Sequence, residues 1–316
     1  MPKFSVCIPA YKSRFLSECI QSILGQSYAD FEVIVLNDCS PEPVEEIVRS
    51  FSDGRIRYFE NECNVGAVRL TDNWNRCVAL AEGEFVLIMG DDDRLEPDYL
   101  AEFTALMARY PGLDVYHCRS LIINDEGNAV QLTPAGPSFE RVCDHIWHRL
   151  NQWRSQYISD FVYRADALRS AGGCYALPLA WGSDDITAYR ACAGKGMAHT
   201  NTPVFNYRSN GLSITSTGND LEKMRANLLY AAWLRDFLAN HTPHETERVV
   251  YRNLIEQQDR LMRQRKQYTM ALSMRRHRAR RFWMWYRHRK EFGLRLRDIF
   301  VAAMKASGLV NRLSNG

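Results

Sequence analysis

Three consecutive aspartates directly after a short apolar run restrict the fold of this chain more than any other feature. Residues 85–89 are all apolar, which is typical of a strand buried on both faces of a parallel sheet. Asp91, Asp92 and Asp93 then follow the carboxyl end of that strand, where open α/β sheets bind their ligands. Adjacent like charges repel unless a cation or hydrogen-bond donors compensate them. The sequence therefore predicts an α/β fold with an acidic ligand-binding edge, and a hard divalent cation suits it.

Composition and charge place the chain among ordinary soluble proteins. With 46% hydrophobic residues, 24% charged residues and a net charge of +3, disorder is not expected. The nine cysteines contain no Cys-x-x-Cys pair, which indicates reduced thiols and a cytoplasmic protein. The first residues predict a strand rather than a secretory leader, and no apolar run approaches the roughly 18 residues of a spanning helix. Any membrane contact is therefore expected at the inner surface of the membrane.

Alternating apolar runs and helical patterns over the first 117 residues predict a parallel sheet with crossover helices. Strands are predicted at residues 4–8, 31–36, 56–59 and 85–89, with helices over 17–24, 43–51 and 68–81 between them. The sequence changes character after residue 117. Later patterns predict a hairpin over 120–133 with Gly127 in its turn, helices over 139–154 and 165–170, a turn at Gly172 and Gly173, and helical structure after about residue 220.

Several segments, taken together in order, resemble the inverting family 2 glycosyltransferases of the nucleotide-diphospho-sugar type. The matching segments are Ser5-Val6-Cys7-Ile8-Pro9-Ala10-Tyr11, the run from Ser22 to Tyr28, Asn37-Asp38-Cys39-Ser40 after the second strand, Asn64-Val65-Gly66, Asn73-Trp74-Asn75, the aspartate cluster, Gly172-Gly173, Trp181-Gly182-Ser183-Asp184-Asp185 with Arg190, and the run from Pro203 to Arg208. Each segment is weak alone, but their order and spacing are specific.

The resemblance implies a GT-A fold, a Rossmann-like and mostly parallel sheet flanked by helices. Residues 1–218 would form the glycosyltransferase domain, with a donor half at 1–117 and an acceptor half at 118–218, and 219–316 a mainly helical basic region. The implied activity is metal-dependent, inverting transfer of a sugar from a nucleoside-diphosphate sugar to a glycan or lipid-linked acceptor, in surface polysaccharide or glycolipid biosynthesis. Two alternatives stay open: a non-catalytic scaffold with a nucleotide fold, and a sugar-phosphate nucleotidylyltransferase.

The resemblance also assigns roles to individual residues. The implied donor contacts are Pro9, Ala10, Tyr11, Asp38, Asn64, Gly66, Asn75, Asp91 and Asp92. The implied metal ligands are Asp92 and Asp93, which would hold Mg²⁺ or Mn²⁺ through carboxylate oxygens. The implied catalytic acids are Asp184, the preferred base, and Asp185, and Trp181 would contact the acceptor sugar.

Two departures from the family pattern and several simpler interpretations accompany these assignments. Asn37 and Gly90 each stand where the family usually has an acid. Aspartates often cap helices, and this would account for Asp38 or for the pair Asp184 and Asp185 without any catalytic role. Tyr11 and Trp181 are equally well explained as packing residues.

The segment from Arg275 to Arg297 has ten Lys or Arg residues against a single acid, Glu291, and interleaves them with Phe282, Trp283, Trp285 and Tyr286. Such a helix can lie on an anionic membrane surface, which would suit a lipid-linked acceptor. Packing of the aromatics on the catalytic domain or on a second subunit is an equally good interpretation, and a nucleic-acid-binding arm is the weakest.

Overall fold

The computed structural model describes residues 2–210 and 219–307. The chain divides into two compact units. The first contains Met1–Ala176 and Ser183–Ser213, and the second contains Leu177–Gly182 and Ile214–Gly316. Within the two described ranges, no helix combines the length and apolar character that crossing a membrane requires.

The first unit is built on one ten-stranded sheet. Its strands are β1 (Phe4–Ala10), β2 (Phe31–Asn37), β3 (Ile56–Glu60), β4 (Phe85–Ile88), β5 (Arg94–Leu95), β6 (Val115–Ile123), β7 (Ala129–Leu132), β8 (Phe139–Glu140), β9 (Phe161–Arg164) and β10 (Met197–Arg208). Its helices are α1 (Leu16–Leu24), α2 (Val44–Arg49), α3 (Leu70–Leu80), α4 (Tyr99–Arg109), α5 (Val142–Leu150), α6 (Ala165–Ser170) and α7 (Ser183–Cys192).

The sheet order is β3-β2-β1-β4-β9-β6-β10-β5, with β7 beside β6 and β8 beside β10. The predicted parallel pairing holds for β3, β2, β1 and β4, and again for β6 with β10. Antiparallel pairs join the rest of the sheet. The α/β class is confirmed, and the carboxyl ends of β1, β2 and β4 lie side by side at one edge.

Burial explains why these strands and helices are evident in the sequence. Every residue of β2 and β4 is buried, as expected for central parallel strands with apolar side chains on both faces. Helix α1 buries Leu16, Cys19, Ile20 and Ile23, which recur at helical spacing. The predicted hairpin is the β6–β7 pair, and Gly127 in its turn has the positive φ of 81° that favours glycine.

The predicted helix over 139–154 was wrong at both ends. It is confined to Val142–Leu150. Phe139 and Glu140 instead form the strand β8, paired with β10. Pairing with a strand more than 50 residues away in sequence therefore decides where this helix begins.

A hydrogen-bonded pair of histidines, one buried and one partly buried, lies inside the first unit. His117 on β6 and His199 on β10 place their Nδ1 atoms 3.0 Å apart, which requires one ring to donate and the other to accept. Burial lowers the pKa of His117 to about 3 and that of His199 to about 4. Both rings are therefore neutral at neutral pH.

The second unit consists mainly of helices. They are α8 (Asp220–Asn240), α9 (Arg248–Arg276), α10 (Arg278–His288) and α11 (Leu296–Ala306). Its core contains Met224, Met270, Met274, Trp285, Phe292 and Ile299. Trp285 is fully buried, and its indole Nε1 donates to Ser273 Oγ at 2.7 Å. This aromatic therefore packs within the core of the second unit itself.

Candidate active site

Asp91 joins the loop after β1 to the aspartate cluster after β4. Its Oδ2 accepts hydrogen bonds from the backbone N–H groups of Tyr11, at 2.9 Å, and Lys12, at 2.8 Å. The Tyr11 carbonyl accepts a further bond from Ser40 Oγ at 2.5 Å, in the loop after β2. The carboxyl ends of three strands are thus tied together, and the Tyr11 side chain is left 42% exposed.

The other two aspartates of the cluster differ in accessibility. Asp92 keeps 17% of its side chain exposed, accepts a hydrogen bond from Asn210 Nδ2 at 2.7 Å, and lies 3.7 Å from the Lys12 ammonium. Asp93 is buried, and its Oδ1 accepts the Arg208 backbone N–H at 2.8 Å. Asp92 is consequently the better placed of the two to meet a ligand from solvent.

Gly90 lies against the Asp93 carboxylate, which leaves no room for a side chain at position 90. A Cβ atom at position 90 would lie 2.5 Å from Asp93 Oδ2, well inside van der Waals contact. The acid that the family usually has here would therefore displace the buried Asp93 carboxylate. A side chain at position 90 is therefore incompatible with the present position of the Asp93 carboxylate.

The electrostatics of the cluster fit a hard cation. Burial, and then repulsion from Asp92, raises the pKa of Asp91 to about 6. The same two causes raise the pKa of Asp93 well above its ordinary value. Protein donors alone therefore leave the negative charge of the cluster incompletely compensated, and its carboxylate oxygens are the donors that Mg²⁺ and Mn²⁺ prefer.

Arg208, at the end of β10, holds the cluster in place and was missed as a functional position by sequence reasoning. Its side chain is fully buried, and its guanidinium plane lies 4.1 Å from the Phe15 ring centre. The guanidinium donates to Glu18 Oε2 and to the Asp92 carbonyl, both at 2.7 Å. It also donates to the carbonyls of Asn124 and Asp125 at 3.1 and 2.9 Å, in the β6–β7 turn. In the sequence, Arg208 was the last residue of the matching run from Pro203 to Arg208, and the resemblance assigned no role to it.

Asp38, after β2, is the centre of a second polar network. It is buried, and its Oδ1 accepts from Asn61 Nδ2 at 2.7 Å and from the Val65 N–H at 3.0 Å. Asn61 also donates to Asn73 at 2.7 Å. These bonds fix the loop after β3 against the loop after β2. Asn61 and Asn73 were not predicted as site residues. Asn61 lies outside the matching segments, and only Asn75 of the segment Asn73-Trp74-Asn75 was assigned a role.

Three predicted donor contacts occupy different structural positions. Asn64 is exposed, and its Nδ2 donates to the Asp38 carbonyl at 3.1 Å. Gly66 has φ 76° and ψ 162°, a backbone conformation essentially restricted to glycine. Asn75 lies elsewhere: its amide accepts from the Cys174 N–H at 2.7 Å and donates to the Cys174 carbonyl at 3.1 Å.

The predicted turn at Gly172 and Gly173 is confirmed, and the Asn75 side chain packs against it. Both glycines have positive φ, 84° and 78°. A Cβ atom on Gly173 would lie 2.3 Å from the Asn75 Oδ1. Asn75 therefore anchors the turn that precedes α7, and its side chain is already occupied by backbone partners.

The adjacent aspartates at the start of α7 have different environments. Asp185 is fully buried, and its Oδ1 accepts from Arg149 Nε at 2.7 Å and from Gln156 Nε2 at 2.8 Å. Asp184 is half-buried in the same first turn. Burial alone would lower the pKa of Arg149, but the charges of Asp185 and Asp184 raise it above its ordinary value. Asp185 is thus tied into the fold, whereas Asp184 is more accessible.

Trp181, the predicted acceptor contact, belongs to the second unit and is partly buried there. The Lys223 ammonium lies 5.0 Å from its ring centre, and its carbonyl accepts from Arg265 Nη2 at 3.4 Å. Burial lowers the pKa of Lys223 to about 8. The lysine on its face gives Trp181 a packing and cation–π role within this unit.

Comparison with known sequences identifies the family of the chain. The profile of glycosyl transferase family 2 matches residues 5–166, about half of the 316 residues, and includes β1, Asp38 and the aspartate cluster. The chain belongs to glycosyl transferase family 2. This assignment confirms the predicted family 2 glycosyltransferase class.

Curated relatives are similar over parts of the chain. The putative colanic acid biosynthesis glycosyl transferase WcaA of Escherichia coli (strain K12) is 34% identical over 107 residues, which are 33% of this chain and 37% of WcaA. The poly(ribitol-phosphate) beta-N-acetylglucosaminyltransferase TarS of Staphylococcus aureus is 32% identical over 133 residues, which are 40% of this chain and 22% of TarS. The chain therefore spans well under half the length of either relative.

Solved structures show the same fold. Staphylococcus aureus TarS 1-349 in complex with UDP-GlcNAc has a TM-score of 0.63 at 17% identity, over 98% of this chain and 92% of that one. The mannosyltransferase PcManGT from Pyrobaculum calidifontis, in complex with GDP-Man and Mn²⁺, has a TM-score of 0.56 at 15% identity, over 96% and 87%. These likenesses confirm the GT-A fold that the sequence predicted.

Proposed function

We propose that the chain transfers a sugar, with inversion, from a nucleoside-diphosphate sugar to a hydroxyl of a glycan or lipid-linked acceptor in surface polysaccharide or glycolipid biosynthesis. The bonds from the Tyr11 and Lys12 N–H groups to Asp91 carry the proposal. They assemble an exposed aromatic ring and an accessible carboxylate, Asp92, at the edge of the sheet where α/β proteins bind nucleotides. The relatives that bind UDP-GlcNAc, or GDP-Man with Mn²⁺, support the same donor class.

The loops after β1, β2 and β3 would hold the nucleoside. Tyr11 offers an exposed ring for stacking on the base, and Pro9 and Ala10 form the backbone that leads to it. Asp38 positions the loop containing Asn64 and Gly66 through its bond to the Val65 N–H. Asn75 is assigned to positioning the turn before α7 rather than to the donor, because the Cys174 backbone uses both ends of its amide.

Asp92 is our candidate metal ligand, because it is the most accessible acid of the cluster. Asp91 and Asp93 orient the surrounding backbone through bonds to main-chain N–H groups. A divalent cation bound here would offset the charge that develops on the departing diphosphate. Lys12, 3.7 Å from Asp92, adds a positive charge at the same position.

Asp184 is our candidate base for the inversion. As the acceptor oxygen bonds to the anomeric carbon, Asp184 would take the hydroxyl proton, and the bond from that carbon to the diphosphate oxygen would break with its electron pair leaving on the diphosphate. Asp185 holds Arg149 and Gln156 and is therefore assigned to the fold.

The test is hydrolysis and transfer from a panel containing UDP-GlcNAc and GDP-mannose, with and without Mn²⁺. Asp92→Asn should lower the Mn²⁺-dependent rate at least about 100-fold and weaken Mn²⁺ binding measured by electron paramagnetic resonance. Asp184→Asn should lower kcat by about 10² to 10⁴ while Mn²⁺ and donor binding persist.

Two further variants separate chemistry from folding. Asp166→Asn, at a side chain that is 94% exposed, should behave as wild type. Asp185→Asn should lower thermal stability, because it removes the charged partner of the partly buried Arg149. Donor and Mn²⁺ binding that are unchanged in Asp92→Asn would contradict the metal assignment, and an unchanged kcat in Asp184→Asn would contradict the base assignment.

A further inference from the structure

Helix α11 in the second unit is apolar on two faces. One face packs into the core through Ile299, Ala302 and Ala306. The other face exposes Leu296, Phe300 and Met304 by 48%, 56% and 46%. These three residues are spaced four apart, so they form one stripe along the helix. A continuous exposed apolar stripe of this kind indicates a surface that binds a partner.

The stripe continues onto helix α10. The ring centres of Phe300 and Phe282 are 5.3 Å apart, and those of Phe282 and Trp283 are 6.2 Å apart. Tyr286 lies 5.5 Å beyond Trp283, which is 59% exposed. Trp285, two residues after Trp283, points into the core instead. The structure thus divides the aromatics of the basic segment between a buried face and an exposed face.

Cations flank the exposed tryptophan. Arg280 and Arg287 stand three residues before and four residues after Trp283, and therefore share its side of the helix. Both are exposed, and neither forms an ion pair with a residue in 2–210 or 219–307. By contrast, Arg281 pairs with Asp220 at 3.1 Å. A groove of about 610 Å³ is lined by Arg280, Arg281, Trp283, Met284, Arg287 and His288.

We propose that this α10/α11 surface, formed by Phe282, Trp283, Leu296, Phe300 and Met304 with Arg280 and Arg287, docks the chain on a bilayer that contains anionic phospholipid. Aromatic side chains suit the boundary between headgroups and acyl chains, and arginines pair with lipid phosphates. The inference rests on the second unit alone and does not depend on the transferase reaction.

Charge favours a lipid surface over the other occupants. A second copy of the chain packed symmetrically on this surface would bring the same arginines together and create repulsion. A nucleic acid would pair with Arg280 and Arg287 but would leave the Leu296, Phe300 and Met304 stripe exposed to water. An anionic bilayer satisfies both the cations and the apolar stripe.

The experiment is co-sedimentation of the full chain with phosphatidylcholine vesicles, with and without 30% phosphatidylglycerol, at 0.1 and 0.5 M salt. We expect binding to the anionic vesicles only, weakened at 0.5 M salt. Trp283→Ala combined with Phe300→Ala should lower the partition coefficient about tenfold or more. Arg280→Gln combined with Arg287→Gln should lower it by a similar factor.

Matched substitutions elsewhere test whether the effect belongs to this surface. Trp153→Ala, at a tryptophan that is 55% exposed in the first unit, and Arg248→Gln with Arg252→Gln on α9 should partition as wild type. Thermal melts should show that all variants fold. The proposal is overturned by an absence of anionic-vesicle binding, by equal losses in the control variants, or by light scattering that shows a dimer dissociated by Trp283→Ala. Binding to a DNA duplex in place of vesicles would overturn it as well.

Discussion

Replacing Arg208 by lysine tests how the aspartate cluster is held. The arginine makes four side-chain hydrogen bonds from a fully buried position, one to the Glu18 carboxylate and three to backbone carbonyls. A lysine ammonium donates from a single point and cannot reach acceptors that surround a planar guanidinium. We expect at least two of the four bonds to be lost.

The expected loss of stability follows from the number of hydrogen bonds that the lysine cannot make. A hydrogen bond to a charged group contributes about 1.5–3 kcal/mol, so Arg208→Lys should lower the free energy of unfolding by about 3–5 kcal/mol. For a unit of this size, that corresponds to a fall of about 10 °C in Tm. Urea unfolding followed by far-UV circular dichroism measures the change, together with a thermal melt in the same buffer.

Arg14→Lys is the matched control. Arg14 also stacks on Phe15, at 4.6 Å, but its side chain is 55% exposed and its ion pair is with Asp125 at the surface. Its replacement should cost less than about 1 kcal/mol. A loss below about 1 kcal/mol in Arg208→Lys, or equal losses in the two variants, would refute the view that Arg208 holds the cluster.

Three further predictions concern stability. Gly173→Ala should lower the free energy of unfolding by about 2–3 kcal/mol in urea titrations, because its φ is positive and its Cβ would meet a side chain, while Gly194→Ala should change it by less than about 1 kcal/mol. Trp285→Phe should cost about 2–3 kcal/mol through a lost hydrogen bond and a cavity, whereas the exposed Trp283→Phe should cost almost nothing. His117 has a folded-state pKa near 3, below its unfolded value of about 6.5. The stabilisation that the neutral ring gives the folded state is therefore complete above pH 6.5 and is lost as the pH falls toward 3. Relative to wild type, His117→Asn should reduce the stability lost between pH 7 and 4.5 by about 2 kcal/mol.

Each of these predictions has a contrary result. Equal losses for the two glycines would contradict the turn argument, and equal losses for the two tryptophans would contradict their assigned burial. If His117→Asn loses as much stability as wild type between pH 7 and 4.5, the histidine pair does not govern stability below neutral pH.

The sequence by itself determined the elements whose signal is local. The apolar run at 85–89 predicted a strand buried on both faces. The acids directly after it predicted a ligand-binding edge, because they follow the carboxyl end of that strand. Both signals lie in consecutive residues. The order of motifs from Pro9 to Arg208 identified the fold and the family. These conclusions needed no knowledge of which distant residues meet.

The tertiary structure decided which members of each motif are buried in the fold and which stay accessible. Asp184 and Asp185 are adjacent in sequence, and only the position of Arg149 shows that Asp185 is the buried partner. Asn75 is separated from Cys174 by 99 residues, so the hydrogen bonds between its amide and the Cys174 backbone could not be predicted. The physical reason is the same in these cases. A carboxylate or amide is the same functional group wherever it stands in the sequence. Burial and long-range hydrogen-bond partners decide whether that group stabilises the fold or stays accessible to a substrate.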